Sequence, residues 1–368
     1  MSGSAGGPLP DREIGVAVIG AGIAGVSVAS RLAERGADVV LMDRAGLAAG
    51  ASGVSAGMLH AATGRRAALS TLHLEGLATT RRLVEALAPH AWRARGVLRL
   101  TRDPGQWSLW QRDAEQRAAA RMLLLAGDAI ADHVPGIGGR PHGALWLADG
   151  GVVDIPAFLR AQIERAGVPL VEAQVKAVKP AGGGGWHLEG AGLRARKVVL
   201  CVGVDIADWA ALLCAPDAPA FRRDRGEALV LQVGEQGVPR GYGLRGAEGA
   251  REDGAALALA AGHYVVPAGQ GVVVVGGSHD ERTPDRGVTS TGVRALAERG
   301  LALWPGLASA RLLGVRSGVR PSTASRAPVW GQVPNHRGLF WLAGLGAKGL
   351  LLGPLLAERV ARVVLEDR

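Results

Sequence analysis

Three glycines at dinucleotide spacing, Gly20-Ala21-Gly22-Ile23-Ala24-Gly25, follow directly on an apolar run. The first glycine of such a loop makes the turn, the second lets backbone approach a pyrophosphate, and the third lets a helix pack closely on a strand. The phosphates then face the helix N-terminus, whose unsatisfied N–H groups and dipole favour an anion. Asp43 closes the next apolar run, where a carboxylate can hold a ribose hydroxyl. The loop implies a dinucleotide and does not by itself separate FAD from NAD.

Other chemistries are weaker. Residues 53–57 spell G-x-S-x-G, the pattern of a hydrolase nucleophile elbow, but an elbow needs a strand before it. Here the preceding residues 48–52 are small, which argues against a serine hydrolase. The nine histidines show no H-E-x-x-H or paired spacing, so no metal site is expected. His263 beside Tyr264 could line a pocket or simply end a strand. The pairs Arg65-Arg66, Arg81-Arg82 and Arg222-Arg223 could meet phosphate or solvent. The formal charge of +9 rests on arginine, with lysine only at Lys176, Lys179, Lys197 and Lys348. Such a balance can mark a nucleic-acid partner or acidic substrates, or reflect an Ala/Gly/Arg-rich composition.

The elements that must hold these residues follow from periodicity. Residues 14–19 and 37–42 read as buried parallel strands, joined by a helix over 23–35 that Gly36 stops. Further helices are expected over 71–87, 106–125, 155–166, 288–303 and 354–366. Strands are expected over 96–101, 143–147, 170–178, 186–188, 197–202, 227–233, 262–266, 271–276 and 339–343. Asp149-Gly150-Gly151 reads as a turn, and glycines 182–185 as a hairpin loop.

At 368 residues, with 48% hydrophobic and 20% charged residues, the chain suits a globular protein of two domains. Residues 1–12 read as a disordered tail and not a signal peptide. The most apolar stretch, residues 338–365, is broken by Lys348, Pro354 and Glu358, so no membrane span is expected. Two cysteines, Cys201 and Cys214, without a CxxC pair fit a reducing cytoplasm. The oligomeric state stays open.

From about residue 13 to the C-terminus, an ordered set of motifs resembles the FAD-dependent D-amino-acid oxidase family. The set begins with the glycine loop ending on Asp43 and the small-residue loop at residues 51–59. It continues with Gly150-Gly151-Val152-Val153-Asp154-Ile155-Pro156 and with the strand 198–203. Next come Tyr264-Val265-Val266-Pro267 with 275–278, then Gly318-Val319-Arg320-Pro321-Ser322-Thr323 with Pro328 and Gly331. The turn at 344–350 closes it. The branch it resembles contains glycine and sarcosine oxidases and the oxidase domain of the bifunctional enzyme that modifies the tRNA wobble uridine, with a lean toward the latter.

The resemblance implies a fold of α/β plus α+β class. It pairs a Rossmann-like FAD-binding domain of glutathione-reductase type (13–60, 143–220, 318–368) with a substrate domain on an antiparallel sheet (61–142, 221–317). It implies non-covalent FAD held by Gly20, Gly22, Ile23, Ala24, Gly25, Asp43, Arg44, Ser52, Ala56, Gly57, Met58, Val175, Gly203, Gly346, Ala347, Lys348, Gly349 and Leu350. Arg320 would grip a substrate carboxylate, and Tyr264 would hydrogen-bond the substrate or shape its pocket. The implied reaction oxidises the C–N bond of a carboxylate-bearing amine by hydride transfer to flavin, with oxygen as acceptor. A tRNA-borne carboxymethylaminomethyl-uridine is an alternative substrate, and a non-catalytic dinucleotide-binding protein is an alternative of another class. Ser325 stands where the family often has Asp, and Lys348 where Arg or Asn is common.

Overall fold

A computed structural model describes residues 13–214, 218–245, 253–281 and 287–367. The tail expected over residues 1–12 lies outside them. The chain divides into two compact units, residues 1–53, 155–224 and 319–368, and residues 54–154 and 225–318.

The first unit carries, among the described residues, an eight-stranded sheet. Its order is Val329–Gln332, Leu339–Ala343, Leu193–Leu200, Ile14–Ile19, Val39–Asp43, Leu170–Glu172, with the hairpin Ala177–Pro180 and Trp186–Glu189 beside Leu193–Leu200. Four neighbouring pairs in that order are parallel. Strand Ile14–Ile19 is buried at every position, as expected of a central parallel strand covered by helices. Helix Ile23–Ala33 packs against Ile155–Ala166 and Gly349–Glu366. The sheet core gathers Val40, Met42, Trp186, Val198, Leu200, Leu339 and Trp341. This is the Rossmann-like arrangement that the glycine loop implied.

The second unit is built on a mostly antiparallel sheet, nine-stranded among the described residues. Its core includes Leu98, Trp146, Leu259, Val265, Val275, Leu296 and Trp304. Residues 54–60 and 143–154, assigned from sequence to the FAD half, fall in this unit. The physical reason is pairing: Met58 faces Val152 and Leu59 faces Gly151, and Gly143–Val153 pairs along Trp92–Thr101. Residues 221–224 fall in the first unit and Gly318 in the second.

Several expected elements differ. The helix expected over 106–125 is two helices, Pro104–Arg112 and Ala114–Ala119, and then strand Met122–Ala126. Arg121 at φ +56 ends helical backbone, and Met122–Ala126 gains a ladder with Gly143–Val153. The turn expected at 149–151 is a bulge inside Gly143–Val153, where the register shifts between Arg95 and Val97. The single strand expected over 170–178 breaks into Leu170–Glu172 and Ala177–Pro180. The last helix begins at Gly349, with Pro354 inside it. Helices Thr71–Leu87 and Ile155–Ala166 form as the periodicity predicts.

Candidate functional site

The glycine loop is tight for steric reasons. A Cβ on Gly20 would lie 2.2 Å from the Cys201 carbonyl oxygen, and one on Gly25 1.8 Å from the Gly20 carbonyl oxygen. Gly20 also holds φ +106, a conformation that favours glycine. Helix Ile23–Ala33 starts here with Gly22 as its N-cap, without a side-chain cap and without an acid in its first turn. The backbone N–H of Ile23 donates to Ser52 Oγ at 3.0 Å. The other early N–H groups have no acceptor within the helix, so Ala24 and Gly25 add donors at a positive dipole end.

Asp43 is placed by the loop it serves. Its Oδ2 accepts the N–H of Ala21 and its Oδ1 the N–H of Ala45, each at 2.8 Å. Each carboxylate oxygen has two lone-pair directions, so the group can still accept from ribose hydroxyls. Arg44 pairs with Asp205 at 2.9 Å, in the turn that Gly203 opens at φ +60. The N–H of Ala173 donates to the Asp43 carbonyl at 2.9 Å, which brings the segment of Val175 beside that strand end. These contacts lie at the carboxyl ends of parallel strands, where open α/β sheets bind ligands.

A second helix start meets the first. A Cβ on Gly349 would lie 3.3 Å from Ile23 Cγ2, and one on Gly353 3.4 Å from Ile23 Cγ1. The small residues therefore let helix Gly349–Glu366 begin beside helix Ile23–Ala33. Gly346-Ala347-Lys348 form a short 3-10 turn, with Gly346 at φ +53, and Leu350 is buried in the turn that follows. Lys348 Nζ donates to the Arg326 carbonyl at 2.7 Å. Burial and the neighbouring Arg326 lower the Lys348 ammonium below its usual range.

Arg320 lies near the end of strand Arg311–Thr323. Ser322 pairs with Leu345 in an isolated antiparallel bridge, so the arginine's segment runs alongside the 344–348 turn. Ser325 Oγ lies 3.2 Å from Thr323 Oγ1, which also donates to the Ala327 carbonyl at 2.7 Å. The serine thus closes its own turn. Arg320 Nη1 itself donates to Asp224 Oδ2 at 2.8 Å.

Ala56, Gly57, Met58 and Tyr264 belong to the second unit. Gly57 holds φ +72, and its Cβ would lie 1.8 Å from the Val153 carbonyl oxygen. Ser55 Oγ accepts the Gly57 N–H at 3.2 Å, and Ser55 follows the short helix Ala51–Val54, which a loop separates from strand Val39–Asp43, so residues 53–57 are not a strand-to-helix elbow. Tyr264 pairs with Gly276, and its ring covers that glycine: a Cβ there would lie 2.6 Å from the phenol oxygen.

Sequence reasoning passed over three groups. His60, two residues beyond Met58, is sealed from solvent at Nδ1, which meets no hydrogen-bond partner among the described residues. Burial first, and the Arg99 guanidinium second, push its pKa down to about 3. Cys201 lies under the glycine turn, and burial pushes its thiol up to about 12. Asp224 follows the Arg222-Arg223 pair and precedes Arg225. No local signal marks any of them, because each is defined by distant chain.

The sequence matches the family described as FAD dependent oxidoreductase (DAO) over residues 15–363. The chain belongs to that family. It is therefore an FAD-dependent oxidoreductase. A relative, the tRNA 5-methylaminomethyl-2-thiouridine biosynthesis bifunctional protein MnmC of Maricaulis maris (strain MCS10), is 31% identical over 96% of this chain and 52% of its own. The protein of that name from Azoarcus sp. (strain BH72) is 29% identical over 94% of this chain and 56% of its own. The chain thus spans about half the length of these curated relatives. Glycine oxidase from Geobacillus kaustophilus shares the fold at a TM-score of 0.81 and 23% identity, covering 96% of this chain and 95% of that one. Iminodiacetate oxidase from Chelativorans sp. BNC1 does so at 0.77 and 24%, covering 96% of each chain.

The first unit fits the family's cofactor. Two helix starts whose N-cap residues give no side-chain cap come together, Asp43 accepts the Ala21 N–H of the glycine turn, and that turn has no room for a Cβ at Gly20 or Gly25. Among the described residues no His, Cys, Asp or Glu side chains group as metal ligands, and no helix is long and apolar enough to cross a membrane.

Proposed function

We propose that the protein oxidises the C–N bond of an amine that carries a carboxylate, an amino acid or an N-substituted glycine. One observation carries this reading: Arg320 stands in the same unit as the glycine loop, on a strand bridged to the 344–348 turn. A guanidinium matches a carboxylate's geometry and holds it through charge-assisted hydrogen bonds. FAD, when bound, supplies a two-electron acceptor, and oxygen is proposed to reoxidise it.

The chain's own residues then bind and orient. The N–H groups of Gly22, Ala24 and Gly25 would take the pyrophosphate, and Asp43 the ribose. The turn at 346–349 and the helix start at Leu350 offer N–H donors to the flavin's polar edge. Arg320 fixes the carboxylate and thereby the substrate's α-carbon, so that positioning carries most of the rate. Tyr264 is the second residue proposed to contact substrate; its support is the sequence motif. The cytoplasm is the proposed compartment.

A second reading keeps the site and changes what bears the amine. The relatives are named for tRNA 5-methylaminomethyl-2-thiouridine biosynthesis, and a carboxymethylaminomethyl-uridine is itself an N-substituted glycine. The formal charge of +9 favours a polyanionic partner.

The test is an absorption spectrum of the purified protein, followed by a panel of amines with peroxide detection. Flavin bands that bleach anaerobically with glycine, sarcosine or another amino acid support the first reading. Retention of tRNA at low salt, with oxidation of the modified uridine alone, supports the second. A flavin that none of these reduces sinks both.

A further inference from the structure

Arg320 is held by an acid of this chain. Its Nη1 donates to Asp224 Oδ2 at 2.8 Å, and the two side chains are 21% and 14% exposed. Asp224 sits in strand Phe221–Gln232 among Arg222, Arg223 and Arg225. Two of these arginines have other carboxylates: Arg223 pairs with Asp208 at 2.8 Å, and Arg225 with Asp280 at 3.0 Å. The nearest acid in the sequence is therefore directed to the one arginine proposed to meet substrate.

The consequence is electrostatic. A lone guanidinium attracts any anion, and it attracts a dianion more. Paired with Asp224 at half-buried depth, where charges are less screened than in water, the guanidinium has a carboxylate of this chain against it. A substrate carboxylate can still use its directional N–H groups. A second carboxylate on the same substrate meets the negative charge of Asp224.

We propose that Asp224 is a specificity-determining residue: it selects substrates with a single carboxylate beside the amine and disfavours dicarboxylic amines. This rests on the reading of Arg320 as the carboxylate site. Asp224 acts through Arg320 and is a positioning residue.

The test uses flavin-loaded enzyme and two probes that cannot be oxidised, acetate and malonate, titrated against the flavin absorbance. Wild type is expected to bind acetate more tightly than malonate, although malonate offers two carboxylates. In Asp224→Asn, which keeps an acceptor oxygen for Arg320, the preference is expected to move toward malonate by about tenfold. Asp224→Glu, which keeps the charge, is expected to retain the wild-type preference. With sarcosine and iminodiacetate as substrates, the shift is expected in KM and not in kcat. A wild type that prefers malonate, or an Asp224→Asn preference within about twofold of wild type, overturns the proposal. Arg320→Ala separates the two layers. If it binds both probes as wild type does, the underlying role of Arg320 falls. If it loses both while Asp224→Asn leaves the preference unmoved, only the role of Asp224 falls.

Discussion

The backbone N–H of Ile23, the first residue of its helix, donates to the hydroxyl of Ser52 at 3.0 Å. A side chain far along the sequence thereby fixes the helix end on which the dinucleotide is expected to rest. Ser52→Ala removes the acceptor and leaves that N–H unmatched, at a cost of about 1 kcal/mol. Urea unfolding should register that loss, and flavin titration of the apoprotein should show weaker binding. Unchanged flavin affinity would show that the hydroxyl only caps the helix.

Gly25 and Gly36 should separate cleanly. An added methyl at Gly25 would sit 1.8 Å from the Gly20 carbonyl oxygen, whereas nothing lies within 4 Å at Gly36. Gly25→Ala is expected to purify without flavin. Gly36→Ala carries only its φ of +80, worth about 1–2 kcal/mol, and should keep its flavin. Flavin content by absorbance after heat release decides both.

Arg320→Ala should act on binding more than on turnover. Losing a charge-assisted hydrogen bond costs about 1.5–3 kcal/mol, a rise in KM of roughly 10–150-fold. Steady-state kinetics with the best amine of the panel tests this. A variant with unaltered kcat/KM removes Arg320 from the site.

His60 makes stability fall on acidification. Its folded pKa is about 3, against 6.5 for the ordinary group. Between those values the unfolded chain binds a proton that the folded protein refuses, so stability is full above pH 6.5 and declines toward pH 3. The slope is at most about 1.4 kcal/mol per pH unit from this one group. Thermal unfolding at pH 7 and pH 5 should show a larger acid loss for wild type than for His60→Gln. Equal losses would assign the acid sensitivity elsewhere.

Glu227 joins a buried pair to a helix start. Its Oε1 accepts the Thr289 N–H at 2.7 Å, and Arg225 lies 3.8 Å away with 5% exposure against 1% for the acid. Glu227→Ala leaves the arginine with less counter-charge and the cap of helix Ser290–Leu303 unsupported. A loss of about 3–5 kcal/mol is expected, read by denaturant unfolding of the flavin-loaded protein. A loss below about 1 kcal/mol would mean that Glu227 contributes little to neutralising Arg225.

The elements nearest the dinucleotide loop were legible because their signals are local. Residues 14–43 contain a buried strand, a glycine turn, a helix and an acid within one short segment, and each follows from neighbours in sequence. The periodicity of Thr71–Leu87 and Ile155–Ala166 was equally self-contained. The region 106–125 misled because alanine-rich, helix-favouring residues run into Met122–Ala126, whose strand state depends on a partner at Gly143–Val153. Pairing with distant chain outweighs propensity there. The Asp149-Gly150-Gly151 segment failed likewise, since a bulge and a turn share the same residue types.

The sequence by itself determined the cofactor class and the family, because these rest on short motifs in order, and it singled out Arg320 as a candidate. Only the tertiary structure decided where each motif sits. It placed Ser52 under Ile23, set Gly349 against Ile23, moved residues 54–60 and 143–154 to the second unit, and gave Arg320 the partner Asp224. The physical reason is common to all four. Hydrogen bonds, close packing and ion pairs between distant residues depend on distance in space, and that distance leaves no trace in spacing along the chain.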